Sequence, residues 1–470
     1  MRPPCFRPYD NDRTRPRAVA LAAAVLLVAG GCGSVSKTAG HTDVDDLVRA
    51  RLGQTTRWNQ GSPDDQQVDR WLDELLRGGL TRERAVAIAL FANPALQQAY
   101  EQLGVSQADM VQAGLLRNPE LGAHLEAPIG GGATADVQGS LVQDFLDLFV
   151  LPARKRIARE QFEADILSVA NQALETAAEV SKEVVAFQAA SRLAAFRLSV
   201  ADAALAASTL ATEQARAGNL NQLRAAGEEV AHGEAVLESM RAELELVRRR
   251  ERLNQLLGLS GPRAAWTSAE ELPAPPDADP PADRLEELAV GRRLDVDAAR
   301  KSRALMADAV SLARSSRLFG RVEIGVDVHQ YAGGPRVFGP SLVLELPIFD
   351  QRQALIARLE AQERQAVRRL EAVTLTARAE VRLASAELGA QRRMIDQYRQ
   401  VLLPLRERIV GEAQLHYNGM LMGLYQLLQE RRAQIETEAG YIGAVRDYWI
   451  ARADLERAVG GHIPGDRKKP

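Results

Sequence analysis

The chain has 470 residues, of which 46% are hydrophobic, 26% are charged and only 5% are aromatic, and its formal net charge is −3. This near-neutral balance gives no electrostatic basis for binding nucleic acid. Two cysteines and six histidines leave little material for a disulfide framework or a Cys/His metal centre.

The first 31 residues have the pattern of a signal peptide. Several arginines precede an uncharged apolar run, residues 18–31, which is shorter than the roughly 20 residues that cross a bilayer as a helix. The chain has no longer run of this kind, which excludes a polytopic helical membrane protein. Cys32 follows three small residues, as in a bacterial lipobox, although Ala29 replaces the commoner Leu. We expect cleavage before Cys32 and its lipidation; the alternative is an ordinary secretory signal with an incidental cysteine.

The two halves of the chain follow one plan. In each half a helical pattern precedes two alternating strands, and a very long helical pattern with one Gly-containing break follows them. The domains predicted in chain order are a lipidated extension with a short helix (32–80), a first repeat (81–271), a Pro-rich linker (272–282), a second repeat (283–459) and a disordered tail (460–470).

Each repeat contains one predicted β-hairpin, at residues 120–143 and 321–347, in which apolar residues alternate with polar or small ones. A half-buried soluble sheet would give the same alternation. However, two isolated hairpins are marginal in water, and membrane-spanning strands need a closed barrel of roughly eight or more strands. A transmembrane interpretation therefore requires at least two chains, and three chains would supply twelve strands.

We assign the polar strand faces to a water-filled lumen and the apolar faces to lipid. The expected lumen-facing residues are His124, Glu126, Glu323, Asp327, His329 and Glu345. The expected lipid-facing residues are Leu121, Leu125, Val322, Ile324, Val326, Leu342 and Leu344. Neither strand histidine has a His or Cys two or four residues further on, so we interpret both as solvated and predict no metal site.

The predicted helices far exceed the average of roughly 12 residues and indicate extended coiled-coil packing. They span residues 154–217, 220–257, 351–417 and 421–459. Pro404 predicts a kink in the third of them. The turns at 217–220 and 417–420 are expected to be helical hairpins, in which Gly and Asn supply the left-handed conformation.

With these features the chain resembles the TolC family of outer-membrane efflux proteins over nearly its whole mature length. The matching segments are the Asn93-Pro94 helix opening and its counterpart Leu294-Asp295, the strand-to-helix junction 344–349, the tip 217–223, and 417–419 with the helix after it. The resemblance implies a mainly α fold with a small β part. In it three chains form a twelve-stranded outer-membrane barrel that continues into a long periplasmic α-helical barrel.

The resemblance also implies a function and the sites that serve it. The family provides the passive exit duct of tripartite efflux pumps, for small molecules or metal ions, with a gate and adaptor contacts at the inner hairpin ends. The expected adaptor contacts are Gly218, Asn219, Leu220, Asn418, Gly419 and Met420. Acidic residues often line the family's gate, but residues 420–428 contain none. We therefore predict an apolar gate of Leu421, Leu424, Tyr425 and Leu428; alternatively these side chains only pack the tip.

No nucleophile, base and orienting group can be assembled from the sequence, and it has no nucleotide-binding Gly-rich loop. We therefore expect no enzymatic activity and no cofactor, and transport must be driven by a partner. The expected partners are two further copies of the chain, a periplasmic adaptor, an inner-membrane pump and outer-membrane lipid, in a Gram-negative envelope. The alternatives are the outer duct of a type I protein-secretion system, and a periplasmic adaptor or structural coiled-coil lipoprotein without a pore.

Overall fold

The computed structural model describes residues 35–36, 38, 40–61, 65–127, 135–279, 284–318 and 320–463. The predicted signal peptide, Cys32 and residues 464–470 of the predicted tail lie outside the described residues.

The two halves contain the same order of elements. The amino-terminal half has α1 (His41–Leu52), α2 (Asp65–Arg77), α3 (Arg82–Ala92), α4 (Pro94–Ala113), β1 (Glu120–Glu126), β2 (Asp136–Asp144), α5 (Leu146–Arg216) and α6 (Gln222–Leu257). The carboxy-terminal half has α7 (Leu285–Arg292), α8 (Leu294–Ser315), β3 (Val322–Gln330), β4 (Arg336–Leu344), α9 (Gln353–Gln397), α10 (Leu403–Asn418) and α11 (Leu424–Val459). Of these, α1 and α2 come before the repeated elements and lie in the predicted extension, so the extension has two helices where the sequence predicted one.

The Asn93-Pro94 pair opens α4 for a local reason. The Asn93 side chain accepts a hydrogen bond from the Leu96 N–H at 2.9 Å, and Pro94 has no N–H to satisfy at the first helical position. The amide of the same Asn93 side chain donates to the Leu256 carbonyl at 2.7 Å. One side chain thus starts a short helix and fastens it to the end of the long helix α6.

A glycine follows the last long helix of each half and packs against the junction between two short helices, α3 and α4 in the first half and α7 and α8 in the second. Gly258 follows α6 with a φ of +66°, and a Cβ atom there would lie only 2.3 Å from the Ala92 carbonyl oxygen. Gly460 follows α11 with a φ of +85° and lies against Arg292. Both positions combine a left-handed backbone with close packing, which glycine accommodates best.

The helix α5 is longer than predicted. It begins at Leu146 rather than near residue 154 and continues through Pro152. Pro152 is the seventh residue of α5, so it lacks the N–H that would donate to the Leu148 carbonyl, and the helix continues past this one lost hydrogen bond. By length and composition alone α5 could cross a bilayer. Here, however, it packs against α4, α6, α8 and α11.

The kink predicted at Pro404 corresponds to a π-turn, Tyr398–Leu402, between α9 and α10. Proline lacks an N–H and clashes with the carbonyl four residues earlier, and the wider π-turn relieves this conflict. Tyr398 lies over α11, where a Cβ atom at Gly440 would meet its hydroxyl at 2.5 Å. The α5 helix has no such break at the corresponding level.

Candidate functional site

The four strands form a single antiparallel sheet in the order β1-β2-β3-β4. The two predicted hairpins are joined through β2 and β3, whose pairing runs from Val137 opposite Gln330 to Asp144 opposite Glu323. The outer edges of β1 and β4 have no strand partner within the described chain. The sheet is therefore open on both sides.

The register places most of the polar and charged strand residues on one face. His124 lies opposite Gln138, which lies opposite His329, and Asp327 lies opposite Ser140. Glu345 extends the same alternation one residue beyond β4, where its N–H donates to the Arg321 carbonyl. The residues predicted to face the lumen thus share this face: His124, Glu126, Glu323, Asp327, His329 and Glu345.

The opposite face of the sheet is largely apolar and uncovered, with polar side chains only near the strand ends. Leu121 of β1 lies opposite Leu141, and Ile324 of β3 lies opposite Leu342. Leu121 is 83% exposed and Leu342 is 61% exposed. The residues predicted to face lipid share this face: Leu121, Leu125, Val322, Ile324, Val326, Leu342 and Leu344. An apolar surface of this kind marks an interaction with a membrane or another protein.

The helices below the sheet form a wall that is also open on both sides. In this wall α6 packs on α5, α5 on α11, and α11 on α9 and α10. The two outer members each expose apolar side chains. On α6 they recur every seven residues, at Leu223, Val230, Leu237 and Leu244. On α9 and α10 they include Leu375, Leu383, Met394, Leu405 and Ile409. The heptad spacing on α6 is typical of a coiled-coil seam.

The first hairpin tip joins α5 to α6 in the conformation that the sequence predicted. Gly218 has a φ of +78°. Its N–H and that of Asn219 donate back to carbonyls of the last turn of α5, which is the Schellman arrangement. Asn221 then caps α6, because its side chain accepts from the Arg224 N–H at 2.9 Å.

The second tip, between α10 and α11, differs from the prediction. Gly419 has an ordinary φ of −78°, and the left-handed residue is Met420, with a φ of +58°. The N–H groups of Met420 and Leu421 donate back to α10 as those of Gly218 and Asn219 do to α5. The prediction that Asn418 and Gly419 supply the left-handed conformation is wrong, because α10 continues through Asn418 and the turn lies two residues further on.

The predicted adaptor contacts lie at these two tips. Gly218, Asn219, Asn418, Gly419 and Met420 are exposed, whereas Leu220 is half-buried. The predicted gate residues follow the second turn. Leu421 and Tyr425 are exposed, while Leu424 and Leu428 are half-buried. The buried member of this segment is Leu427, which the sequence did not single out.

Two ion pairs join the two hairpins in the halves of their helices that lead to the tips. Arg197 of α5 donates to both carboxylate oxygens of Glu436 on α11, at 2.7 and 3.2 Å, and this hydrogen bonding lowers the pKa of the Glu436 carboxyl. Arg432 of α11 donates to the buried Glu228 of α6 at 3.1 Å. The four residues line a cleft of about 740 Å³ between α5, α6 and α11.

Within the described ranges, no group of three or more His, Cys, Asp or Glu residues is placed to hold a metal ion. A two-residue pair is present on the polar sheet face, where His124 Nε2 lies 3.0 Å from Glu126 Oε1.

The chain is similar to known bacterial proteins in sequence and in fold. No protein-family model matches the chain. The cobalt-zinc-cadmium resistance protein CzcC of Cupriavidus metallidurans is 22% identical over 390 residues, which are 82% of this chain and 90% of CzcC.

Solved structures share the fold over most of their length. The CmeC outer membrane channel of Campylobacter jejuni has a TM-score of 0.72 at 15% identity, over 90% of this chain and 93% of CmeC. A membrane protein from Pseudomonas aeruginosa has a TM-score of 0.68 at 23% identity, over 83% of this chain and 94% of that protein. The open state of the MtrE outer membrane channel of Neisseria gonorrhoeae has a TM-score of 0.63 at 18% identity, over 83% of this chain and 89% of MtrE. The chain therefore has the fold of the TolC-like outer-membrane efflux channels.

Proposed function

We propose that this chain is the outer-membrane exit duct of a tripartite efflux pump. The main observation in its favour is the two-faced sheet, which is open at both edges and lies at one end of a wall of long helices. An apolar outer face and a polar inner face are what a membrane barrel requires. The solved structures of this fold include channels, and we propose that the chain acts as a passive channel without enzymatic activity.

We infer a closed ring of three chains. Four strands cannot close a barrel by themselves, whereas three copies supply twelve. The sheet ends at β1 and β4, and the helical wall ends at α6 and at α9 with α10. One head-to-tail contact between copies can therefore pair the open strand edges and bury the two apolar helix stripes together. Ring closure also removes the free strand edges that lipid cannot satisfy.

The helices give the duct its periplasmic length. The 71 residues of α5 extend about 107 Å at 1.5 Å per residue, so the hairpin tips lie far from the sheet. The exposed tip residues Gly218, Asn219, Asn418 and Gly419 are available there to a periplasmic adaptor that connects the duct to an inner-membrane pump.

We also propose that the second tip closes the duct with apolar side chains. Leu421 and Tyr425 project without cover in the single chain, and Leu424 and Leu428 are half-buried on the next turn. In a ring, three copies of such a segment can meet around the axis. Closure would then depend on apolar contact rather than on a ring of carboxylates with bound cations.

Lipidation of Cys32 agrees with the dimensions of the chain. Gly40 lies against Phe162 of α5, about 24 Å along that helix from its start at Leu146. The eight residues from Cys32 to Gly40 can span at most about 29 Å. An acyl anchor on Cys32 can therefore reach the level at which the sheet meets the helices. Intact-protein mass spectrometry of wild type and Cys32→Ser tests the modification.

The cargo is proposed from the curated relative. CzcC is named for resistance to cobalt, zinc and cadmium, so we propose divalent metal ions, or other small molecules, as the substances that pass through this duct.

The duct is tested by fractionation and by electrical recording of the full-length protein. We expect a heat-modifiable trimer in the outer membrane that gives ion conductance in planar lipid bilayers. A monomer extracted with the inner membrane, or a trimer that never conducts, would refute the proposal.

A further inference from the structure

The polar face of the sheet brings two histidines into one cross-strand row. His124 of β1 lies opposite Gln138 of β2, and Gln138 lies opposite His329 of β3. Neighbouring strands are about 4.8 Å apart, so the two histidines are separated by roughly 10 Å with a single residue between them. The sequence does not reveal this row, because β1 and β3 belong to different halves of the chain.

A carboxylate and an aromatic ring complete the row. His124 Nε2 lies 3.0 Å from Glu126 Oε1, and these side chains are 67% and 70% exposed. Both can therefore reorient around an ion at little cost in lost packing. The His329 ring stacks on Tyr331 with the ring centroids 4.0 Å apart, which holds this imidazole at the same end of the sheet.

The row lies at the end of the sheet that is remote from the helices. At this end β1 ends and β2 begins, and residues 331–335 connect β3 to β4, whereas α5 and α9 follow the opposite strand ends. In the proposed duct this end is the outer mouth, the last part of the lumen before the exterior.

We propose that His124, Glu126 and His329 form a low-affinity binding patch for a divalent transition-metal ion at this outer mouth. Its placement in the lumen rests on the proposed function, whereas its ligand chemistry does not. Imidazole nitrogen and carboxylate oxygen are ligands for Zn²⁺ and Cu²⁺. The three groups are not preassembled, since the described residues contain no ready-made group of three metal ligands. Side chains must turn toward the ion, so binding is weak and release is fast.

Copper binding to the full-length protein in detergent tests the ligands. We expect electron paramagnetic resonance of added Cu²⁺ to show nitrogen couplings that are lost in a His124→Gln, His329→Gln double variant. His416→Gln, at an exposed position of α10, and His232→Gln, at a half-buried position of α6, are controls that should retain them. Glu126→Gln should weaken binding about tenfold, whereas Glu120→Gln, also on the polar face of β1, should change it less than twofold.

Planar bilayers test the location. Zn²⁺ added on the side of the strand connections should reduce the conductance, Mg²⁺ should not, and the double variant should need at least tenfold more Zn²⁺. Nitrogen couplings that survive in the double variant, or equal block by Mg²⁺ and Zn²⁺, overturn the patch. Copper bound through both histidines without any block by Zn²⁺ overturns its lumen position. A protein that never conducts refutes the proposed duct instead, and the copper measurement then decides the patch alone.

Discussion

The second hairpin tip holds a non-glycine residue in a backbone conformation that suits glycine. Met420 has a φ of +58°, and its counterpart Gly218 has a φ of +78°. A side chain in the left-handed region costs about 1–2 kcal/mol, whereas glycine loses about 0.5–1 kcal/mol more backbone entropy. We therefore expect Met420→Gly to stabilise the turn by about 0.5–1 kcal/mol. The Met420 side chain is 95% exposed, so little packing is lost.

Hydrogen exchange of the tip amides measures this change. The Leu421 N–H donates to the His416 carbonyl at 2.8 Å and the Met420 N–H donates to the Tyr417 carbonyl at 3.0 Å. These amides are protected only while the turn is formed. A gain of about 0.5–1 kcal/mol should slow the exchange of the Leu421 amide about two- to fivefold. Peptides that cover residues 415–424 report it by mass spectrometry.

The reverse substitution and a neighbouring glycine provide the comparison. Gly218→Ala should speed exchange at the first tip, because alanine there must adopt a positive φ. Asn418→Gly lies inside the last turn of α10 and should destabilise the helix by about 0.3 kcal/mol, because asparagine is itself a poor helix former. If Met420→Gly exchanges as fast as wild type, or if Asn418→Gly slows exchange equally, the argument from backbone conformation is refuted.

Three further predictions concern other contacts. Gly258→Ala should cost more than about 2 kcal/mol of stability and lower the thermal unfolding temperature, because a Cβ atom would lie 2.3 Å from the last carbonyl oxygen of α3. Arg197→Met and Glu436→Gln should show a coupling of about 0.5–1 kcal/mol in a double-mutant cycle read by urea unfolding, since Glu436 is largely exposed. The segment after α11 should undock as the pH rises, because the Glu456 carboxylate, whose Oε2 lies 3.7 Å from His462 Nδ1, raises the pKa of His462 above its ordinary value near 6.5. That contribution is complete below about pH 6.5 and is lost as the pH rises through the raised pKa; limited proteolysis of the carboxyl terminus measures it.

Each of these predictions has a control or a contradicting result. Gly227→Ala, at a helical position of α6 with open space around it, should be neutral or stabilise by up to about 1 kcal/mol. An equal loss in Gly227→Ala and Gly258→Ala would contradict the role of the close contact. If the losses of stability in Arg197→Met and Glu436→Gln simply add in the double variant, the Arg197–Glu436 pair does not hold the hairpins together. Proteolysis of His462→Gln should not depend on pH in this range, and a persisting dependence would assign the effect to another group.

The faces of the strands could be predicted because their period is local. Alternation along β3 alone separates Ile324 from Glu323 and Asp327, and the structure keeps them on opposite faces. The pairing of β2 with β3 could not be predicted. These strands come from different halves of the chain, and no sequence motif indicates which of their residues lie opposite each other. The row of His124 and His329 depends on that register and was therefore missed.

Helix ends were harder to predict, because backbone context overrides residue preference there. Pro152 favours a later start for α5, yet the helix accepts it near its first turns. Gly419 follows Asn418 in a pattern that usually ends a helix, yet the left-handed position falls on Met420. Residue propensity predicted the approximate place of the turn, whereas the hydrogen bonds back to α10 determined which residue takes the left-handed conformation.

The two halves share their order of elements but differ in where they can bend. In the second half a π-turn at Tyr398–Leu402 and a strained residue at Met420 bracket the helix α10, and irregularities of both kinds are common at functional sites. In the first half α5 runs without a break to its tip, where glycine relieves the strain. A displacement of the second tip can therefore be absorbed within α10, whereas the first tip moves only with the whole of α5. The second tip is also the one that contains the proposed gate. Wild-type amide exchange should accordingly be faster at the second tip than at the first.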